Sequence, residues 1–267
     1  PSDELEKWMM IESERMQECV LRLFHTELET VYEEFNRGQD NDGRQAAQKL
    51  DQLLYPNHPY GTQTTIGTGD HLKNPSMVKI HEFFDSWYTP NNMAVILAGD
   101  IDYDKTIAMV DKHFSKWVKK DVPGFTFKPE DPIMAPVSAD VFGPDREWVS
   151  MAWRFNGTKS EDPLMLELIS GILSNGKAGL IDLNLLQEQK VLDARVYSGE
   201  QTDYSEFGMR VEPREGQTLE QAREKLEQAN TIESGEADPE TAKQAMDNVQ
   251  EAKRLLALTR KEHLKDI

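Results

Sequence analysis

The chain has 267 residues, which is enough to bury a sizeable hydrophobic core in one large domain or two smaller ones. It carries 48 acidic and 30 basic residues, a formal net charge of −18, and no basic patch or stripe of the kind that nucleic-acid-binding proteins show. No apolar run is long enough to span a bilayer, so neither nucleic acid nor a membrane span is expected. The sequence starts at Pro1, and we expect a piece of a longer or processed protein, soluble, with the compartment open between cytoplasm and periplasm.

The first part of the chain is predicted to be mainly helical. Residues 3–37 have apolar residues at roughly helical spacing with acidic residues between them, and Asn74-Pro75-Ser76 supplies a capping residue and a proline at the start of a later helix. The apolar run at 93–97 is typical of a strand that is covered on both faces. The predicted elements are helices at 3–37, 44–54, 75–88 and 104–117, a polar break at 38–43 and a strand at 93–100.

A proline-rich stretch divides the chain. Residues 122–144 contain five prolines, which predicts an extended connector between two domains. Beyond it, alternating side chains predict strands and Asp162-Pro163 starts a helix. The predicted elements are strands at 147–155, 192–198 and 206–211, helices at 162–173, 180–189, 218–232 and 239–263, and a loop at 174–179. The small number of strands favours α+β layers over a regular βαβ array.

A helical stripe of two glutamates bears most directly on chemistry. Glu27, Val31 and Glu34 fall on one face of the predicted helix, because seven residues make nearly two full turns. The spacing alone leaves a simpler interpretation open, since neighbouring glutamates show that this helix is acidic on more than one side. His25 and Glu29 are one turn apart and offer a second pair that could chelate a metal, although such pairs are more often surface contacts.

Four segments, in this order, resemble the insulinase/pitrilysin family of zinc peptidases. The first is the Glu-x-x-x-Val-x-x-Glu helix at 27–34. The second is the proline-histidine-proline loop Tyr-Pro-Asn-His-Pro-Tyr-Gly at 55–61, and the third is a turn and strand at 88–100 that ends in Gly-Asp. The fourth is a glycine-containing segment at 173–181. Each motif is weak alone, but their shared order across roughly residues 5–215 identifies the chain as similar to this family.

The resemblance implies an α+β fold of repeated domains, each with an antiparallel sheet packed with helices. Residues 1–122 then match the C-terminal part of a metal-bearing peptidase domain, 123–144 a proline-rich linker, and 145–267 the N-terminal part of the following peptidase-like domain. Residue by residue, Glu34 matches the family's zinc ligand and Glu27 a nearby supporting acidic residue. The family takes its other zinc ligands and its catalytic base from a His-x-x-Glu-His helix, and that motif does not occur in these 267 residues.

Three functions are consistent with these features. Our main prediction is a fragment of a zinc metalloendopeptidase that cleaves peptides in a clamshell chamber, the fragment itself being inactive. Its expected partners are a peptide or unfolded polypeptide substrate and the remaining domains of the parent or a partner subunit, and zinc is expected in the full-length parent rather than in this fragment. The alternatives are a non-catalytic family domain for peptide binding or subunit scaffolding and, unrelated to the family, an acidic α+β interaction module.

Overall fold

Helices precede residue 115, and a small sheet with its helices follows residue 148. The computed structural model describes residues 2–230, and this part of the chain divides into two compact units between Val141 and Phe142. No helix within these residues is both long and apolar enough to cross a membrane. The elements of the first unit are α1 (Leu5–Gln17), α2 (Phe24–Gln39), α3 (Asp42–Leu54), α4 (Pro59–Thr62), α5 (Gly69–Lys73), α6 (Met77–Trp87) and α7 (Tyr103–Phe114).

The predicted helix at 3–37 is two helices. α1 ends at Gln17 and α2 begins after Leu23, whose φ of 53° lies in the left-handed region. A leucine seldom adopts this conformation, because its Cβ approaches the backbone too closely, and it interrupts a right-handed helix. The predicted break at 38–43 shrinks to a turn, because the Asn41 side chain accepts a hydrogen bond from the backbone N–H of Arg44 at 2.8 Å and starts α3 early.

The prediction of a strand at 93–100, covered on both faces, is wrong for the described structure. This segment forms no strand, and Val95 and Ile96 are 45% and 88% exposed. An extended apolar segment becomes a strand only by pairing with another strand, and every strand among residues 2–230 lies in the second unit.

The second unit is built on a three-stranded sheet. Its elements are β1 (Val149–Asn156), α8 (Asp162–Leu173), a π-helix (Asp182–Gln187), β2 (Asp193–Glu200), β3 (Tyr204–Glu212) and α9 (Leu219–Asn230). β3 is central and pairs antiparallel with both neighbours, in the order β1-β3-β2. The predicted α+β class with an antiparallel sheet is therefore confirmed, whereas the helix predicted at 180–189 is largely a π-helix. The helix predicted at 239–263 lies outside the described residues.

One face of this sheet carries the core of the second unit. Phe207, Met209 and Val211 alternate along β3 and are buried, because successive side chains of a strand point to opposite faces. α8 and α9 cover this face, with Ala222 and Leu226 of α9 fully buried. Full burial of a leucine side chain such as that of Leu226 contributes roughly 1.5–3 kcal/mol to stability, because apolar surface is removed from water.

The opposite face of the sheet is polar and aromatic. The guanidinium of Arg210 lies 4.1 Å from the ring centroid of Trp148 and forms an ion pair of 2.8 Å with Glu212. The ring of Tyr197 lies across Gly208, so closely that a Cβ at this position would be 2.1 Å from the ring. A side chain at 208 would therefore require the Tyr197 ring of the paired strand to shift.

Candidate functional site

Helix α2 carries both of the predicted site residues. Its partly buried side includes Leu28, Val31, Tyr32 and Phe35, which recur at three- and four-residue spacing. The rings of Tyr32 and Phe35 are stacked with their centroids 6.3 Å apart. An apolar stripe of this kind fixes which side of α2 is turned toward the protein.

Helix α5 packs on this side of α2. Gly69 permits the contact, because a Cβ there would be 3.2 Å from the Phe35 ring. Lys73, at the other end of α5, has its Nζ 5.6 Å from the centroid of the Tyr32 ring. α2 is thereby held from one side, while the polar residues of its other side remain accessible.

Glu27 and Glu34 lie on α2, and both are exposed. Seven residues of α-helix advance the chain by about 10 Å and leave the two side chains within about 20° of one direction around the axis. Glu33 is also exposed, but it projects about 100° away from Glu34. The described structure thus places the two predicted carboxylates on one accessible stripe of a helix.

These residues do not by themselves form a metal site. Zinc in a hydrolase is held by three protein ligands and keeps a further position open. Among residues 2–230 there is no group of three or more His, Cys, Asp or Glu side chains that could hold a metal ion. The pair His25 and Glu29 is therefore not part of such a group either. The described residues alone do not supply enough ligands to hold a zinc ion.

The histidine of the proline-histidine-proline loop is buried among aromatic rings. His58 is fully buried, and its Nδ1 accepts the backbone N–H of Tyr60 at 3.2 Å. Its ring packs against the rings of Tyr60 and Phe127, with centroid distances of 4.1 and 4.4 Å. The Glu130 carboxylate binds the backbone of this loop, a contact that sequence reasoning missed because more than seventy residues separate the partners.

A second missed residue is Asp182, which organises the glycine-containing segment. Its buried carboxylate accepts hydrogen bonds from Ser174 Oγ at 3.0 Å and from the backbone N–H groups of Asn175 and Gly179 at 2.8 and 3.2 Å. Burial opposes ionisation, but the hydrogen bonds outweigh it and lower the pKa of Asp182 below its ordinary value of 3.8. The available signal was the spacing of Gly179 and Asp182, since an acidic side chain three residues after a helix N-cap can accept the N-cap N–H.

Comparison with known proteins gives a family match over most of the chain. Residues 77–246 match the family model described as "Peptidase M16 inactive domain". The "Zinc protease PqqE" of Helicobacter pylori is 27% identical over 143 residues, which are 51% of this chain and 32% of that protein. The chain thus spans about a third of the length of this curated relative.

Solved structures share the fold. A protease from Helicobacter pylori superimposes with a TM-score of 0.72 at 23% identity, covering 95% of this chain and 62% of that chain. Pitrilysin superimposes with a TM-score of 0.59 at 18% identity, covering 79% of this chain and 24% of that chain. At these identities the likeness concerns the fold.

Proposed function

Because the chain belongs to the peptidase M16 family, we propose that it is a fragment of a zinc metalloendopeptidase in which α2 contributes Glu34 to a metal site completed by residues outside this sequence. The resemblance to insulinase/pitrilysin peptidases is confirmed by the family match and by the shared fold. Zinc as the metal of the parent is supported by the name of the Helicobacter relative.

The observation that carries the proposal is the accessible stripe of α2. Glu27 and Glu34 are both exposed and lie next to the partly buried Val31, at the border of the helix side that packs against α5. Packing of the helix fixes the backbone from which the Glu34 carboxylate projects, which is a precondition for a metal ligand. We assign Glu34 as the ligand and Glu27 as a supporting residue that acts on the ligand set.

The second unit is proposed to serve as a non-catalytic wall of the substrate chamber. The matching family model describes an inactive domain and extends through β1, β2, β3 and α9. On this proposal residues 1–122 and 145–267 belong to successive domains, and the substrate is a peptide or unfolded polypeptide that lies between the parent's halves.

A non-catalytic family protein that binds peptides or scaffolds a partner subunit is the second candidate. It is consistent with the 267 residues, in which no His-x-x-Glu-His motif occurs. A His-x-x-Glu-His helix preceding Glu34 in the parent chain favours the enzyme, and a parent sequence without it favours the scaffold.

Activity of the parent and of this chain tests the proposal. We expect the full-length parent loaded with zinc to cleave an unstructured fluorogenic peptide, and the purified 267-residue chain with added zinc to leave it intact, because one candidate ligand helix cannot hold the ion. A metal-stripped parent is the control. Zinc-dependent cleavage by the 267-residue chain alone, or a zinc-loaded parent without activity on any unfolded peptide, contradicts the proposal.

A further inference from the structure

The chain contains two Asn-Gly pairs, at 156–157 and 175–176. Asparagine before glycine is prone to deamidation, because glycine has no side chain to hinder attack of its backbone nitrogen on the asparagine amide. We propose that the fold makes Asn175 a site of spontaneous deamidation and protects Asn156. This inference concerns the second unit alone and does not depend on the metal site.

The reaction closes a ring and releases ammonia. The backbone nitrogen of Gly176 attacks Cγ of Asn175 and gives up its proton, the bond from Cγ to Nδ2 breaks, and Nδ2 leaves with one added proton as ammonia. Water then opens the five-membered succinimide at either carbonyl, which leaves aspartate or isoaspartate at 175. Negative charge develops on Oδ1 in the tetrahedral intermediate, so hydrogen-bond donors at this oxygen speed the reaction.

Asn175 has donors in the positions that this reaction needs. Its Oδ1 accepts the backbone N–H groups of Lys177 and Ala178 at 3.1 and 2.9 Å, distances that suit donors to a developing oxyanion. Its Nδ2 donates to the carbonyl oxygen of Gly171 at 3.1 Å, an exposed bond between neutral groups that restrains the leaving nitrogen weakly. Gly176 is exposed, and a Cβ on it would meet no atom within 4 Å, so its backbone has space to rotate during ring closure.

Asn156 lies in a different environment at the end of β1. It pairs with Tyr204 in the sheet, and its backbone N–H and its Nδ2 both donate to the Asp162 carboxylate, at 3.0 and 2.7 Å. Departure of Nδ2 would break a hydrogen bond to a charged acceptor, which is roughly twice as strong as a neutral one. Gly157 is buried, and a Cβ on it would be 2.2 Å from the carbonyl oxygen of Thr202. Close packing of this backbone therefore opposes ring closure at Asn156.

Peptide mapping of the folded 267-residue chain tests the assignment, with Asn156 as the internal control. Trypsin places the two asparagines in separate peptides, 155–159 and 160–177, and mass spectrometry measures the deamidated fraction of each. After incubation at mildly alkaline pH we expect Asn175 to deamidate at least about tenfold faster than Asn156, the factor by which one hydrogen bond to a charged group changes a rate. In concentrated urea the two rates should converge, because both sites share the Asn-Gly sequence.

Two matched variants give an independent readout. Asn175→Gln should remove most of the ammonia that the folded chain releases, because glutamine would have to close a larger ring, and Asn156→Gln should leave the release near wild type. Circular dichroism before and after incubation shows whether the chain stays folded. Deamidation of Asn156 as fast as that of Asn175 in the folded chain overturns the proposal, and so does a fold that slows both asparagines equally relative to urea.

Discussion

Glu34 and Glu33 are adjacent in the sequence, yet they leave α2 in directions about 100° apart. In the full-length parent we expect Glu34→Gln to lower zinc content strongly, because a neutral amide is a poor substitute for a ligating carboxylate, and Glu33→Gln to leave it near wild type. Glu27→Gln should be intermediate, with the loss of about 10–100-fold in metal affinity or activity that is typical of a supporting group.

Atomic emission on gel-filtered protein measures the zinc bound by each variant. Circular dichroism spectra that match wild type show that the overall helix content is unchanged. Equal zinc contents in Glu34→Gln and Glu33→Gln would remove Glu34 from the metal site.

Gly208 offers a second test at the scale of one residue. Gly208→Ala should destabilise the second unit by about 1–3 kcal/mol, the usual cost of overpacking, because the new methyl group meets the Tyr197 ring. In a Tyr197→Ala background the same substitution should cost much less. Urea unfolding followed by circular dichroism gives the free energies.

A matched glycine serves as the control for this cycle. A Cβ on Gly171 of α8 meets no atom within 4 Å, so Gly171→Ala should be neutral or stabilise by about 0.5–1 kcal/mol through helix propensity. Similar costs for Gly208→Ala in both backgrounds would show that the Tyr197 contact is not the cause.

Among the elements, the start of the helix after the glycine-containing segment depends on one carboxylate. The folded-state pKa of Asp182 is lowered relative to the unfolded chain, so its stabilisation is present above about pH 4 and is lost as the pH falls through the lower, folded-state pKa. Asp182→Asn should therefore be less stable than wild type at pH 7, by about 1.5–3 kcal/mol for weakened charge-assisted bonds, with the difference shrinking in acid.

Unfolding by urea at several pH values, read from the exchange of β3 amides, measures this dependence. Glu224→Gln changes an exposed carboxylate of α9 and should follow the wild-type profile. A stability difference between Asp182→Asn and wild type that persists unchanged below pH 3 would be inconsistent with ionisation of Asp182 as the source.

Elements with local signals could be predicted from the sequence, and elements with distant partners could not. Helices α6 and α7 begin close to their predicted positions because Ser76 and Asp102 cap them within their own segments, accepting N–H bonds three residues on. The prediction of a strand at 93–100 was wrong because strand formation depends on a second strand to pair with, which the local sequence does not specify.

The same distinction applies to the candidate site. The placement of Glu27 and Glu34 on one helical stripe follows from spacing alone, and their role stays a prediction. Glu130 carries no local mark, since its partners Asn57 and His58 are more than seventy residues away. The hydrogen bond of Asp182 to the Gly179 N–H could be predicted from their spacing, which is that of a helix cap. The π-helix that begins at Asp182 could not be predicted from local sequence.

At the scale of the whole molecule, the two units contribute differently to the proposed enzyme. The first contributes the candidate ligand helix, and the second contributes a sheet with one face filled by α8 and α9 and the other left polar. The family match starts at residue 77, in the first unit, and continues past the connector. The matched residues therefore include parts of both units.

The exposed segment 93–98 has a practical consequence for anyone who purifies this chain. Extended, apolar and solvent-facing residues such as Val95 and Ile96 invite strand addition between copies, the first step of aggregation. Ile96→Lys introduces a gatekeeper charge and should raise the concentration at which the chain stays monodisperse in light scattering, whereas Lys119→Ile at an exposed position should not. Ile96 is then one of the exposed apolar side chains that set the solubility of this chain, together with Met134 and Phe142, which are 89% and 92% exposed.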